Sequence, residues 1–581
     1  MLIRLSWGYL RNHKGALAAL LILQVIQSMA MLWLPTLNAD IINDGVLTGD
    51  IPLIWLLGGA MLGITLLQGA TLAGAMFFGQ RLAAAMGAHI RRRIFSTVQG
   101  FGRAELSEFG AGSLITRSTN DVTQVQRVVQ AIFSFVVMAP IMGIGGVVMA
   151  IRQDTVLSGV FLVIVPVLAA FSYVMMRHLS PLYGRQQKRV DAVNRILREQ
   201  LSGVRVIRAF LRQSEERDRY TQANDELRTI WLKIGISWAL LWPVVDIIVG
   251  MSSAAIIWFG AMRIDAGAMQ VGSLIAFINY LGQILGAIMV SAFIVMMAPR
   301  AEVSAKRIAA VLATVPEITS APDARPAPAD GSFELIGAGV KYPGAEASVL
   351  RDISFRLSPG TTTAVIGATG SGKSTLVHLL TRMLDPTVGK VSYAGQDIRT
   401  LELTSLRDKI ALVPQKAYLF SGTLAGAITG ERGEITDEER VWKALEIAQA
   451  ADFVRELDGG LNAEVSPGGK NFSGGQRQRL TIARAVYRLL GGQTRLLILD
   501  DSFSALDFAT DKALRGALSE VTKDIAVLVV AQRVSSIRSA EAIVVLEAGE
   551  MVGYGRHEEL MESCDTYREI AHSQLSAKEA A

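Results

Sequence analysis

Six long apolar runs dominate the first half of the chain, near 16–42, 52–80, 129–151, 155–176, 235–262 and 272–298. Each reaches the roughly 20 residues that an α-helix needs to cross a bilayer. Pro166 and Pro243 fall inside the fourth and fifth runs, where neighbouring helices can re-satisfy the freed carbonyls. The polar stretches between the runs alternate in charge. Arg4, Arg11 and Lys14 precede the first run, and Asn43–Asp50 after it has no Lys or Arg. Arg81, Arg91, Arg92, Arg93, Arg103, Arg117 and Arg127 crowd the next stretch, and only Arg152 occupies the one that follows. Arg185, Lys188, Arg189, Arg195, Arg205 and Arg208 lie between the fourth and fifth runs, and only Arg263 between the fifth and sixth. Basic residues collect on the cytoplasmic side of a membrane. The pattern therefore predicts both termini, and the long stretches 81–128 and 177–234, in the cytoplasm.

Those two stretches are polar but poor in breakers, and long structureless loops are uncommon. They predict helical extensions of the spans, each turning at a short helix, near 104–113 and 209–217. After Arg300 the pattern changes. Residues 316–331 read PEITSAPDARPAPADG, a Pro/Ala-rich, stiff and exposed linker. This places a transmembrane domain over 1–315, a linker over 316–331 and a second domain over 332–581. In the second domain, short β-rich runs such as TTTAVIG, KIALVPQ, RLLILDD and IAVLVVA alternate with helical stretches. That alternation predicts an α/β nucleotide-binding domain.

Composition agrees. The 581 residues exceed a single core. With 51% hydrophobic and 19% charged residues, the chain is too apolar for a soluble protein. The net charge is +5, but the basic residues gather beside apolar runs. They suit anionic membrane lipids and argue against nucleic acid as partner. The single cysteine, Cys564, excludes an intrachain disulfide, and nothing around it suggests an activated thiol. The first apolar run is too long for the core of a signal peptide and reads as a retained span.

Three motifs carry chemistry. Gly367–Thr375, GATGSGKST, fits the P-loop pattern after an apolar strand. Gly367, Thr369, Gly370, Ser371 and Gly372 turn backbone N–H groups toward phosphate oxygens. Lys373 reaches the β- and γ-phosphates, the Ser374 hydroxyl suits Mg²⁺, and Thr375 continues the loop. Leu496–Asp501, LLILDD, reads as a buried strand ending in acid, with Asp500 holding Mg²⁺ through water. Asn471–Gln476, NFSGGQ, places small residues before a helix N-terminus, which makes an anion site.

Ser473, Gly474, Gly475 and Gln476, followed by R-Q-R, resemble the signature of ATP-binding-cassette (ABC) proteins, and the three motifs follow in that family's order. Gln415 in LVPQ resembles the Q-loop, which ties Mg²⁺ and the γ-phosphate to the membrane helices. Tyr342 in VKYPG resembles the aromatic that stacks on adenine. Ser504–Asp507, SALD, resembles the D-loop, with Asp507 at the nucleotide. The six-span half resembles the exporter-type (type IV) transmembrane domain, and FGAGSLITRSTNDVTQVQ its first coupling region. The likeness is nearest to one half of actinobacterial heterodimeric pairs of the multidrug- or lipid-exporter-like group. It implies ATP and Mg²⁺ as cofactors, multi-pass placement in the cytoplasmic membrane, and a dimer of cassettes. Each signature would face the nucleotide held by the other cassette's P-loop.

Two positions depart from the family pattern. Asp500 fits the family's Walker B Asp; the Glu that follows it in the family is here Asp501, and the switch His is here Gln532. An acid one methylene shorter sits on the order of 1.5 Å farther back, and a misplacement of ~1 Å can cost ~10²-fold. An amide can bond a phosphate oxygen but cannot become cationic. The site built on Asp501, Gln532 and Gln415 is therefore expected to bind ATP and hydrolyse it slowly. The intact signature is expected to complete a working site on a second, non-identical half-transporter.

The cargo is expected to be a hydrophobic or amphipathic small molecule or lipid moved outward. Import of a lipophilic ligand such as a lipid or siderophore is an alternative, since fold does not fix direction, and so is an ATP-binding regulatory or channel-like subunit. Gln24, Gln27, Asn38, Asp246, Asn279 and Gln283 are the polar residues inside spans. Asp246, near Trp238 and Trp242, is a candidate for a cationic group, although an interhelical bond explains it more simply. Met289, Met296 and Met297 are candidates for an adaptable lining.

Overall fold

The computed structural model describes residues 1–574 except Pro343, Arg432, Glu434, Ile435, Ala505 and the side chain of Met296. Ala505 of the SALD segment and the Met296 side chain thus lie outside the described residues. The chain divides into two compact units: Met1–Gln99 with Phe109–Thr314, and Gly100–Glu108 with Val315–Ala581.

In the first unit, six helices are long and apolar enough to cross a membrane: Lys14–Val46, Ile51–Gln99, Ala111–Gln153, Leu157–Ala209, Gln213–Asp265 and Val271–Ala313. Five of them run 43 residues or more. At 1.5 Å per residue that exceeds twice the ~30 Å hydrocarbon core. The polar stretches 81–128 and 177–234 are therefore largely helix, continuing the spans. The sequence predicts a short helix near 209–217, but here the structure differs. Leu157–Ala209 and Gln213–Asp265 are joined by a turn of residues 210–212, where Leu211 takes a left-handed φ of 53°. One residue at positive φ reverses the chain, so no separate helix is needed. Near 104–113 there is a short helix, Arg103–Phe109, ended by Gly110 at φ 72°.

Asp154 and Arg263 tie the turns at the other end of the spans. Arg263 Nε and Nη2 both donate to Asp154 Oδ2, at 2.9 and 2.8 Å, and Asp154 Oδ1 accepts from the Leu157 N–H at 2.7 Å. Arg263 is thus neutralised where the charge rule disfavours a free cation. Gln24 donates to the Phe133 carbonyl, Gln283 to the Met31 carbonyl and Asn279 to the Ile275 carbonyl. These amides serve backbone bonding within the bundle. Gln27 is buried, Asn38 half-buried and Asp246 exposed.

The second unit holds a six-stranded sheet in the order Glu550–Gly555, Ala542–Glu547, Thr362–Gly367, Ala526–Val530, Leu496–Asp500, Ile410–Val413. All neighbours are parallel except the Glu550–Gly555 edge. Alternate residues serve opposite faces. Ala364, Ile366, Leu497, Leu499, Val527 and Val529 join one core with the helix Gly474–Leu490. Val365, Leu496, Ile498, Leu528 and Val530 join another with an antiparallel sheet of Phe333–Val340, Leu350–Leu357, Val388–Tyr393 and Gln396–Asp397. Burial on both faces explains the unbroken apolar runs of these strands.

Candidate functional site

The register of the parallel sheet sets the site. Val530 pairs with both Asp500 and Val365, so three neighbouring strands end together. Their C-terminal ends release the segments 367–372, 501–504 and 531–533 on one edge, where α/β sheets bind ligands.

Gly367 ends its strand against the adjacent strand's Leu546 carbonyl, and a Cβ there would also sit 2.6 Å from Ser371 Oγ. Only glycine lets the loop pass. Gly372 caps the helix Lys373–Leu380 at φ 101°, a conformation open to glycine. The first amides of that helix consequently face the loop, with the positive end of its dipole behind them. Lys373 Nζ donates to the Gly367 and Ala368 carbonyls at 2.7 and 2.8 Å. Its side chain folds back over the loop it belongs to.

A cavity of about 260 Å³ is lined by Thr369, Gly370, Gly372, Lys373, Ser374, Thr375, Gln415, Asp500, Asp501 and Gln532, with Val349 and Val530. The last two are missed by motif reading. Val349 lies beyond any polar pattern, and Val530 is a strand residue whose register alone brings it here. Ser371 is buried, and its hydroxyl has no hydrogen-bond partner among the described residues. Tyr342 stands beside the loop, its hydroxyl 3.3 Å from Thr375 Oγ1.

Burial pushes the Asp500 carboxyl above the ordinary carboxylate range. Asp501 pushes it further and Lys373 opposes. Burial lowers Lys373, against the pull of Asp500 and Asp501. A divalent cation would relieve the carboxylate strain. Ser374, Asp500 and Gln415 in the cavity lining offer oxygen donors, the donor type that Mg²⁺ takes together with waters and phosphate. The residues present fit the ion.

Asp501 follows Asp500 at φ 48°, and its N–H donates to the Val530 carbonyl at 2.8 Å. Its Oδ2 accepts from Gln532 Nε2 at 3.0 Å and from Gln415 Nε2 at 3.4 Å. Ser473, Gly474, Gly475, Gln476 and Asp507 do not line this cavity. Ser473 Oγ accepts from the Gln476 N–H at 3.2 Å, and Gln476 Oε1 accepts from the Ser473 N–H at 2.9 Å. This capping box starts the helix Gly474–Leu490, and Ser473 and Gly474 stay exposed. Phe472 is buried in the core. Asp507 caps the helix Phe508–Val521 by accepting from the Thr510 N–H at 3.0 Å, and that bond holds its carboxyl below the ordinary range.

A P-loop, a paired acid and six spans on one chain define a membrane protein driven by nucleotide. The family pattern of the ABC transporter transmembrane region matches residues 17–288, and that of the ABC transporter matches 350–504. An uncharacterized ABC transporter ATP-binding protein of Mycobacterium tuberculosis (strain CDC 1551 / Oshkosh) is 45% identical over 99% of both chains. The ATP-dependent lipid A-core flippase of Bordetella avium (strain 197N) is 30% identical, covering 92% of this chain and 90% of that protein. The fold is that of a bacterial Atm1-family ABC exporter solved with ATP bound. The TM-score is 0.79 at 21% identity, over 98% of this chain and 99% of that one. The chain belongs to the ABC transporter family: a multi-pass transmembrane region fused to an ATP-binding cassette, built for ATP-driven transport.

Proposed function

We propose that this chain is the half of a heterodimeric exporter that bears the slow ATP site. The observation that carries the reading is the Asp501 carboxylate, whose Oδ2 is already claimed by two amide donors, from Gln532 and Gln415. A general base must present a free lone pair to the attacking water and take its proton. Here the shorter acid is drawn back by neutral amides that cannot supply positive charge to a developing phosphoryl anion.

On this reading Gly367–Thr375 hold the ATP phosphates, Tyr342 the adenine, and Ser374, Gln415 and Asp500 the Mg²⁺. The Ser473–Gln476 box, exposed at Ser473 and Gly474 and outside the lining of its own P-loop cavity, serves the nucleotide on a second, different half-transporter, with Asp507 near that junction. That partner supplies the missing Glu and His. The transmembrane domain spans 1–315 and the cassette 332–581, with the cassette and termini cytoplasmic and the spans in the cytoplasmic membrane. ATP binding joins the cassettes, the turns near 103–109 and 210–212 convey this to the spans, and hydrolysis at the partner's site resets them. The cargo is a hydrophobic or amphipathic compound moved out of the cytoplasm.

The test is the ATPase rate of the co-purified pair. Glu-to-Gln after the partner's Walker B Asp lowers turnover by ~10²-fold or more, whereas Asp501→Asn changes it less than about twofold. Equal losses from both changes, or the larger loss from Asp501→Asn, contradict the assignment.

A further inference from the structure

The last described helix, Asp565–Gln574, buries Tyr567 and Ala571. The Tyr567 hydroxyl lies 2.8 Å from His557 Nδ1. Positions 567, 571 and 574 recur at helical spacing, so the face that docks this helix ends in Gln574. There Gln574 meets the backbone that follows the strand Ala526–Val530. Its Nε2 donates to the Gln532 carbonyl at 2.9 Å, and its Oε1 accepts from the Val534 N–H at 2.9 Å. The Ala531 N–H still donates to the Val365 carbonyl of the sheet, at 3.1 Å. Beyond it one glutamine amide, both donor and acceptor, takes a carbonyl and an N–H as a neighbouring strand would.

The far end of the same segment is held separately. Arg515, on the helix Phe508–Val521, donates from Nη1 to the Ser536 carbonyl at 2.7 Å and from Nε to Asp511 Oδ1 at 2.7 Å. Its guanidinium lies 3.9 Å from the centre of the Phe503 ring, and Phe503 follows Asp501 by two residues. Residues 531–536 are thus gripped by the sheet, by Gln574 and by Arg515. Between the grips stands Gln532, whose Nε2 donates to Asp501 Oδ2 at 3.0 Å.

Gln574 does not line the P-loop cavity, whereas Gln532 does. Any effect of Gln574 on that cavity therefore passes through the backbone at 532–534. Gln574 is itself exposed, so its replacement empties no core, and the Arg515 grip on Ser536 remains when it is gone. What its loss frees is the stretch from which the Gln532 amide reaches Asp501.

We propose that Gln574 is a positioning residue for the ATP site: by fixing the backbone at 532–534 it holds the Gln532 amide on Asp501 and keeps that acid from the attacking water. The proposal rests on the reading of Asp501 as a restrained base. Losing one hydrogen bond to a charged acceptor frees the acid by about tenfold. Releasing the clamp therefore speeds hydrolysis at this chain's own P-loop. Cutting a contact of purely structural value slows hydrolysis or leaves it as it was.

The test photolabels the full chain in its membranes. The chain is crosslinked in the cold to 8-azido-ATP carrying radiolabel at the γ-phosphate and then warmed, and the loss of label reads hydrolysis at its own P-loop. A sample labelled at the α-phosphate gives the uptake of nucleotide and controls for folding. Gln574→Ala and Gln532→Ala each speed the loss about tenfold over the wild type. The double variant stays within about twofold of either, because both changes cut one chain of contacts. Should Gln574→Ala take up too little α-label, Gln574→Glu decides. Its carboxylate still accepts from the Val534 N–H but has no donor for the Gln532 carbonyl, and it speeds the loss as well. Unchanged or slower loss in a nucleotide-binding Gln574 variant overturns the proposal. So do effects that multiply in the double variant, and so does a Gln532→Ala protein that behaves as the wild type. A wild type that loses its γ-label as fast as a partner chain refutes the slow-site reading instead, while the ranking of the variants still decides the clamp.

Discussion

Asp500 and Asp501 are adjacent carboxylates in unlike surroundings. Asp500 ends a buried strand, while Asp501 turns out at positive φ to meet two amides. Because burial raises the Asp500 carboxyl in the folded protein, folding favours its protonated form, and the ionised form costs stability at neutral pH. The cost is complete above the folded value and absent below the ordinary 3.8. Asp500→Asn should therefore raise the melting temperature of the nucleotide-free cassette at pH 7, by about 2–4 °C if ~1 kcal/mol is recovered. The gain should fade as the pH falls toward 4, and the variant should lose the further rise that Mg²⁺-ATP gives the wild type. Calorimetry across that pH range checks this, and a gain that grows with acid contradicts it. At this scale the sequence is informative because the residues proposed for phosphate, metal and signature roles lie in contiguous motifs. The double acceptance by Asp501 Oδ2 was not legible, since its donors stand 86 and 31 residues away.

At the scale of elements, the six spans were legible from apolar length alone, and their helical continuations from the lack of breakers. The turn at 210–212 was missed because a single left-handed leucine leaves no compositional mark. The helix Leu2–Leu10 was also missed. It buries Leu2, Ser6 and Leu10, one per helical turn, in a segment too short for its period to stand out. A third element was hidden by distance. Gly100–Glu108 belongs to the compact unit of the cassette, where buried Glu105 accepts from the Gly102 N–H at 2.8 Å and from the Glu317 N–H at 2.7 Å. One carboxylate thus fastens the turn to the start of the linker, 212 residues away. A hydrogen bond to a charged acceptor contributes about 1.5–3 kcal/mol. Glu105→Ala should accordingly speed amide exchange at Gly102 and Glu317 by ~10-fold or more, and Glu105→Gln by less. Unchanged exchange at both amides would refute the fastening.

For the whole molecule, the family and its domains follow from patterns that the chain displays without folding, because a membrane span and a phosphate loop are both local statements. The asymmetry proposed for the ATP sites is not local. Ser473 and Gly474 lie exposed and the P-loop cavity is lined by other segments, so on the proposed reading a single chain holds halves of two different sites. A half-transporter of this build should trap its own nucleotide intact while the partner's is consumed. The most direct measurement is photolabelling of the co-purified pair during turnover with 8-azido-ATP carrying radiolabel at either the α- or the γ-phosphate. This chain should take up both labels equally, and the partner should keep the α-label while losing the γ-label. Loss of the γ-label from this chain at the partner's rate would contradict the account.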